Sequence, residues 1–156
     1  MKIQIMAMGR PRETFIVQGV EHYRTRLRPL LTADWLFLPD SSKGKNIDVE
    51  QRKELEARDF LKHIAPEDIL FLLDERGKQF SSKELSEKIY GTIAQGRGKL
   101  ILLIGGPYGT SKVLQERADE LISLSRLTFT HEMSLLLLSE QLYRAAMIHS
   151  GSKYHH

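Results

Sequence analysis

Apolar residues recur along this chain in two alternating modes, short extended runs and longer stretches with helical spacing. Lys2 to Met8 reads as a first strand. From Pro11 to Arg28, the residues Phe15, Ile16, Val20, Tyr23 and Leu27 fall on one helical face, and Pro29 stops that helix. Ala33 to Leu38 is a second strand, followed by a polar loop from Pro39 to Asn46. A helix over Asp48 to Ile64 leads through Pro66 to an aliphatic strand, Ile69 to Leu73, that ends in a turn at Asp74 to Lys78. Ser81 and Glu84 have the spacing of a capping box, so a helix starts there and ends near Gly96. The aliphatic run Leu100 to Ile104 is the fourth strand. A helix from Ser111 to about Leu121, a short segment from Ile122 to Phe129 and a last helix from Glu132 to His149 complete the series.

This βαβα alternation predicts an α/β fold, a mainly parallel five-stranded sheet with helices on both faces. Leu100 to Ile104 carries no polar residue, which suits a central strand buried on both sides. It runs straight into Gly105-Gly106-Pro107 and Gly109, at the strand end where open α/β sheets bind ligands. The glycines serve either a ligand or simply a tight strand-to-helix turn. A P-loop is excluded, because one starting at Gly105 needs glycine and lysine where Thr110 and Ser111 stand. A dinucleotide fingerprint is excluded too, since Gly96-Arg97-Gly98 precedes a strand instead of following one. Periodicity gives no hint of threading, which ordinary connection rules disfavour.

The last helix is apolar nearly all round. His131, Leu135, Leu138, Leu142, Ala145 and Ala146 share one side, and Met133, Leu136, Leu137, Met147 and Ile148 populate the other. Such a helix is buried in a core, in a subunit interface, or in both. Within it, Glu140 and Arg144 are spaced i,i+4, as in a simple helix ion pair. Their apolar flanks also fit a pair put to use, since arginine can bridge a carboxylate and a phosphate. His131-Glu132 does not open a zinc-protease helix, because Leu135 occupies the second histidine position, so no metal is expected. The terminal Tyr154-His155-His156 reads equally as a frayed end, the stump of a purification tag or a functional tail.

Composition narrows the class. With 156 residues and 41% hydrophobic content, the chain is long enough for one core and short for two, so a single domain over 1–156 is expected. There is no cysteine, which removes disulfides and thiolate metal sites and fits a reducing cytosol. The apolar runs fall far short of the ~20 residues that span a bilayer, and the N-terminus reads as a strand and not as a secretory signal. The net charge of +3 permits a polyanionic partner. Residues 1–45 hold eight Lys or Arg against four acidic residues, and Arg24, Arg26 and Arg28 flank Tyr23 at a helix end, where they suit phosphate contacts or a solvated, dipole-favoured terminus.

Five segments then converge: LLDERGK (72–78), LLIGGPYG (102–109), SLSRLTFTH (123–131), EQLYRA (140–145) and the terminal YH (154–155). Together with the MKIQIMAMG start and the chain length, they resemble the SPOUT-class large-subunit ribosomal RNA methyltransferases, more narrowly the methyltransferase H family, from end to end. The resemblance implies a trefoil-knotted α/β fold, a cytoplasmic homodimer, and S-adenosyl-L-methionine bound against the knot. It implies methylation of N3 of a pseudouridine in a 23S rRNA stem-loop, in the assembled ribosome. Carried over by motif, cofactor contacts fall on Leu73, Gly105 and the run Leu124, Ser125, Arg126, Leu127, Thr128 and Phe129. The family's usual arginine four residues after the motif histidine is replaced by Leu135, so a polar or RNA contact is lost there.

The implied reaction must remove the N3 proton and align N3, methyl carbon and sulfur. His155 or a carboxylate such as Glu140 could serve as base, Tyr154 could stack on or hydrogen-bond the ring, and Arg144 could hold the RNA backbone or orient a carboxylate. Two rival readings remain: a noncatalytic ribosome- or RNA-binding module of the same fold, whose mark would be an eroded glycine turn or cofactor loop, and a SPOUT enzyme acting on tRNA, which normally carries extra RNA-binding segments.

Overall fold

The computed structural model describes residues 2–153. Ten elements alternate strictly: β1 (Lys2–Met8), α1 (Thr14–Leu27), β2 (Ala33–Leu38), α2 (Val49–Leu61), β3 (Ile69–Gln79), α3 (Ser82–Ala94), β4 (Lys99–Ile104), α4 (Lys112–Arg117), β5 (Glu120–Ser123) and α5 (His131–His149). The strands form one sheet in the order β2-β1-β4-β3-β5, and every neighbouring pair is parallel.

The unbroken aliphatic runs divide by parity, as the two-residue period of a strand requires. Leu100, Leu102 and Ile104 join Ile3, Ile5 and Phe71 in a core closed by α1, α3 and α5, while Ile101 and Leu103 join Met6, Leu70 and Leu72 under Phe60 of α2 and Leu114 of α4. β4 is buried along almost its whole length. Its position between β1 and β3 explains why its sequence shows no alternation.

Four expectations change. The first helix starts at Thr14 and not at Pro11, because the backbone N–H groups of Arg12 and Glu13 donate to the Glu132 carboxylate at 2.7 and 3.2 Å and are held out of helical geometry. The second is trimmed at both ends to Val49–Leu61, with Asp48 as its cap in a full capping box. β3 does not stop at Leu73. It runs on to Gln79, and both Leu73 and Lys78 pair with Ile122, so residues 74–77 bulge out of the ladder where a turn was expected. The fourth helix is only Lys112–Arg117, since Asp119 is drawn to the sheet by paired bonds with Leu70, its N–H to the Leu70 carbonyl and its carboxylate from the Leu70 N–H, both 2.8 Å. The fifth strand is accordingly Glu120–Ser123, and 124–129 is loop. Ser81 and Glu84 do form the expected capping box on α3.

Among the described residues no helix is long and apolar enough to cross a membrane. α5 buries Leu135, Leu138, Leu142, Ala145 and Ala146 of one side, and His131 of that side is only partly covered. Met133, Leu136, Leu137, Met147 and Ile148 are only partly covered.

Candidate active site

The carboxyl ends of β3, β4 and β5 open together into one cleft of about 930 Å³, within the ~300–1,000 Å³ range of small-molecule sites. Its walls come from three successive connections: the β3 bulge at Asp74 to Arg76, the glycine turn after β4, and the loop after β5. Leu73, Ile104, Ile122 and Leu124 supply apolar wall, and Thr110, Gln115 and Ser134 supply polar wall.

The glycine turn is built by close approach. A Cβ on Gly105 would collide with the Thr110 methyl, and one on Gly106 would lie 2.5 and 2.7 Å from the two carboxylate oxygens of Glu56. The Gly109 N–H donates to the Gly106 carbonyl at 3.1 Å, and Gly109 takes φ of +87°, a conformation that side-chain-bearing residues rarely adopt. Thr110 is buried, and its carbonyl and hydroxyl both accept from the Gln115 amide, at 3.0 and 3.3 Å. Close packing at Gly105 and Gly106 therefore fixes the shape of this wall.

The β5–α5 loop is shaped by its own serines. The Ser123 hydroxyl donates to the Ser125 carbonyl at 2.8 Å, and the Ser125 hydroxyl accepts from the Leu127 N–H at 3.0 Å. Thr130 caps α5 by accepting from the Met133 N–H at 3.1 Å. This brings Leu124, Ser125, Leu127, Thr128 and Phe129 to the cleft together with Leu73 and Gly105, while the exposed Arg126 stays off the wall. Leu127 is 70% exposed, a large apolar side chain at the mouth of the cleft.

The carboxylates Asp74, Glu56 and Glu140 differ in character. Asp74 is held by Arg76 through hydrogen bonds of 2.9 and 3.0 Å, and that pairing keeps its pKa below the ordinary aspartate value, so it is a poor proton acceptor. Glu56 is buried behind the turn, and burial, aided by the Asp40 charge, pushes its pKa up to about 7. Glu140 pairs with Arg144 at 2.6 Å, each partly buried on α5, and neither belongs to the cleft wall within this chain. His131, at the start of α5, does reach the cleft. Tyr154 and His155 lie outside the described residues. Among the described residues there is no cluster of histidine and acidic side chains placed to hold a metal ion.

Sequence reasoning missed Glu56, the Asp74–Arg76 pair as a wall, and Thr110, Gln115 and Ser134. Glu56 had left a signal: it stands at a core position of α2, beside Ala57 and one turn before Phe60, where a charge is costly without purpose.

The family model described as "Predicted SPOUT methyltransferase" matches residues 1–155. Similar proteins include the ribosomal RNA large subunit methyltransferase H of Christiangramia forsetii, 40% identical over 156 residues with 100% of this chain and 99% of that protein covered. Those of Porphyromonas gingivalis, at 38% with the same coverage, and Cytophaga hutchinsonii, at 37% with both chains covered in full, bear the same name. Among solved structures, a probable methylase family protein from Haemophilus influenzae superposes with a TM-score of 0.57 over 99% of this chain and 70% of its own, at 14% identity, a likeness of fold alone.

Proposed function

The chain belongs to the SPOUT methyltransferases, in the ribosomal RNA large subunit methyltransferase H family, and on that premise we propose that it methylates N3 of a pseudouridine in a 23S rRNA stem-loop of the assembled ribosome. It is an S-adenosylmethionine-dependent enzyme acting on ribosomal RNA. The observation that carries the site assignment is the cleft at the ends of β3, β4 and β5, where Leu73, Gly105 and the 124–129 loop, remote in sequence, form a continuous wall.

The residues present fit the cofactor. The Gly105 backbone lines the cleft without a Cβ, so a ligand can approach it closely, and Leu73, Ile104, Ile122 and Leu124 form a slot suited to an adenine ring. When bound, S-adenosylmethionine supplies an electrophilic methyl group on a sulfonium. Leu124, Ser125, Leu127, Thr128 and Phe129 would hold the cofactor from the β5 side of the cleft. Asp74 stays ionised on that wall, its charge balanced by the paired Arg76. Tyr154 and His155 are assigned to the nucleobase, as stacking or hydrogen-bonding partner and as proton acceptor. Glu140 and Arg144 act as a pair that meets the RNA.

The same reading includes a trefoil knot, a cytoplasmic location and a symmetric homodimer. In support of the dimer, the partly covered apolar side of α5 has exposed apolar neighbours on α1, where Phe15 and Val17 are 57% and 40% exposed and Gly19 lies against Leu136. Incubation with labelled S-adenosylmethionine and free 23S rRNA, isolated large subunits or whole ribosomes tests the function. Label in ribosomal pseudouridine N3 is the expected result. Transfer to tRNA alone, or no transfer to any of them, would replace the proposal by one of the two rival readings.

A further inference from the structure

Glu56, a buried titratable group with no part in that function, lies directly behind the glycine turn. Glu56 is 6% exposed, on the face of α2 that meets the sheet. Its carboxylate oxygens occupy the space that a Gly106 side chain would need, and the Gly106 backbone amide favours its ionised form. The contact is therefore reciprocal: the carboxylate holds the peptide, and the peptide holds the charge.

The surroundings fix the geometry further. Asp40, in the β2–α2 loop, accepts from both the N–H and the hydroxyl of Ser42, a residue with no solvent exposure. The Ser42 hydroxyl accepts from Arg52 at 2.8 Å, and the Arg52 guanidinium lies 5.7 Å from the centre of the Tyr108 ring, inside the glycine turn. One helical turn after Arg52 comes Glu56. The two residues thus grip the turn at adjacent points, Arg52 at Tyr108 and Glu56 at Gly106. The charged groups that act on Glu56 are opposed: Asp40 disfavours its ionisation and Arg52 favours it.

We propose that Glu56 is a positioning residue for the methyl donor, its carboxylate fixing the Gly105–Gly106 peptides in the shape that the cleft presents to S-adenosylmethionine. This rests on the assignment of that cleft as the cofactor site. The consequence is a dependence on pH. A carboxylate accepts from an amide more strongly than a neutral carboxyl does, and this one titrates near 7. Protonation relaxes the turn, so cofactor affinity falls as pH drops through that value.

The test is calorimetric titration of S-adenosylmethionine into the full chain from pH 5.5 to 8.5, for wild type and E56Q. The two proteins differ only at residue 56, so the ratio of the two dissociation constants isolates Glu56. That ratio is expected to be close to one at pH 5.5 and to rise to about tenfold at pH 8.5, with its midpoint near 7. In cofactor-free ¹⁵N-labelled protein, the Gly106 amide resonance should titrate with the same midpoint in wild type and stay flat in E56Q, a readout that a merely structural role for Glu56 would not link to affinity. A ratio that does not change with pH, or a Gly106 amide insensitive to Glu56, overturns the proposal. Addition of cofactor that perturbs no resonance between residues 104 and 110 overturns the cleft assignment itself, and the positioning role falls with it.

Discussion

Glu56→Gln should make the protein more stable and, at the same time, a poorer binder of its cofactor. The stability effect follows from the carboxyl alone. Its pKa is 4.5 in an unfolded chain and about 7 in the fold, raised first by burial and then by the Asp40 charge. A carboxyl whose pKa is raised on folding contributes its stability fully below the unfolded value, and loses it as pH rises through the folded one. The ionised native protein at pH 8 therefore carries a penalty of about 3 kcal/mol. Glutamine has the same shape, keeps an oxygen to accept from the Gly106 N–H and cannot ionise. Wild type and E56Q should match at pH 4.5 to 5, and E56Q should pull ahead to about 3 kcal/mol by pH 8. With a urea slope of about 2 kcal/mol/M, that is a midpoint shift of about 1.5 M. Urea denaturation at matched protein concentration from pH 5 to 8 measures it, concentration being fixed because self-association would add to stability. Equal midpoints at both ends of the range would mean that Glu56 is not buried as a charge, and the linkage to the turn would lose its basis.

Gly105→Val should lower S-adenosylmethionine affinity at least tenfold while circular dichroism stays native, because the added side chain meets Thr110 and forces the turn to move; calorimetry showing unchanged affinity would place the cofactor elsewhere. Light scattering at micromolar concentration should report twice the 18.0 kDa chain mass, and a monomer would refute the pairing of α5 and α1 faces. Deletion of residues 154–156 should spare folding and cofactor affinity but reduce methyl transfer to ribosomes ~100- to 10,000-fold, the usual cost of a lost general base; transfer at the full-length rate would reduce the tail to a frayed end.

The architecture was legible because strand and helix periods differ and each apolar run here is bounded by its own stop signal, such as Pro29 or Gly96. What periodicity could not supply was strand order and the fate of segments governed by distant partners. The bulge at 74–77 depends on where Ile122 pairs, and the late start of α1 depends on a carboxylate at position 132. That Leu73, Gly105 and residues of the 124–129 loop share one cleft follows from the strand ends on which their motifs sit. Arg126 left that wall because consecutive loop residues do not all face inward. Glu56 was unreadable as part of the site because the helix that carries it covers the opposite side of the sheet from α5, and nothing local ties residue 56 to residue 106.

The sheet order also dictates when this protein can take shape. β1 precedes the other described elements in the chain yet lies inside the sheet, and its second partner is β4, with Lys2 opposite Lys99. Until residues 99–104 join it, β1 has β2 on one side and an open hydrogen-bonding edge on the other, and it lacks the cover of α5, which follows all five strands. Closing so long a loop delays the return from pairing. β1 therefore stays half-paired until β4 is in place, with an aggregation-prone edge to protect in the meantime.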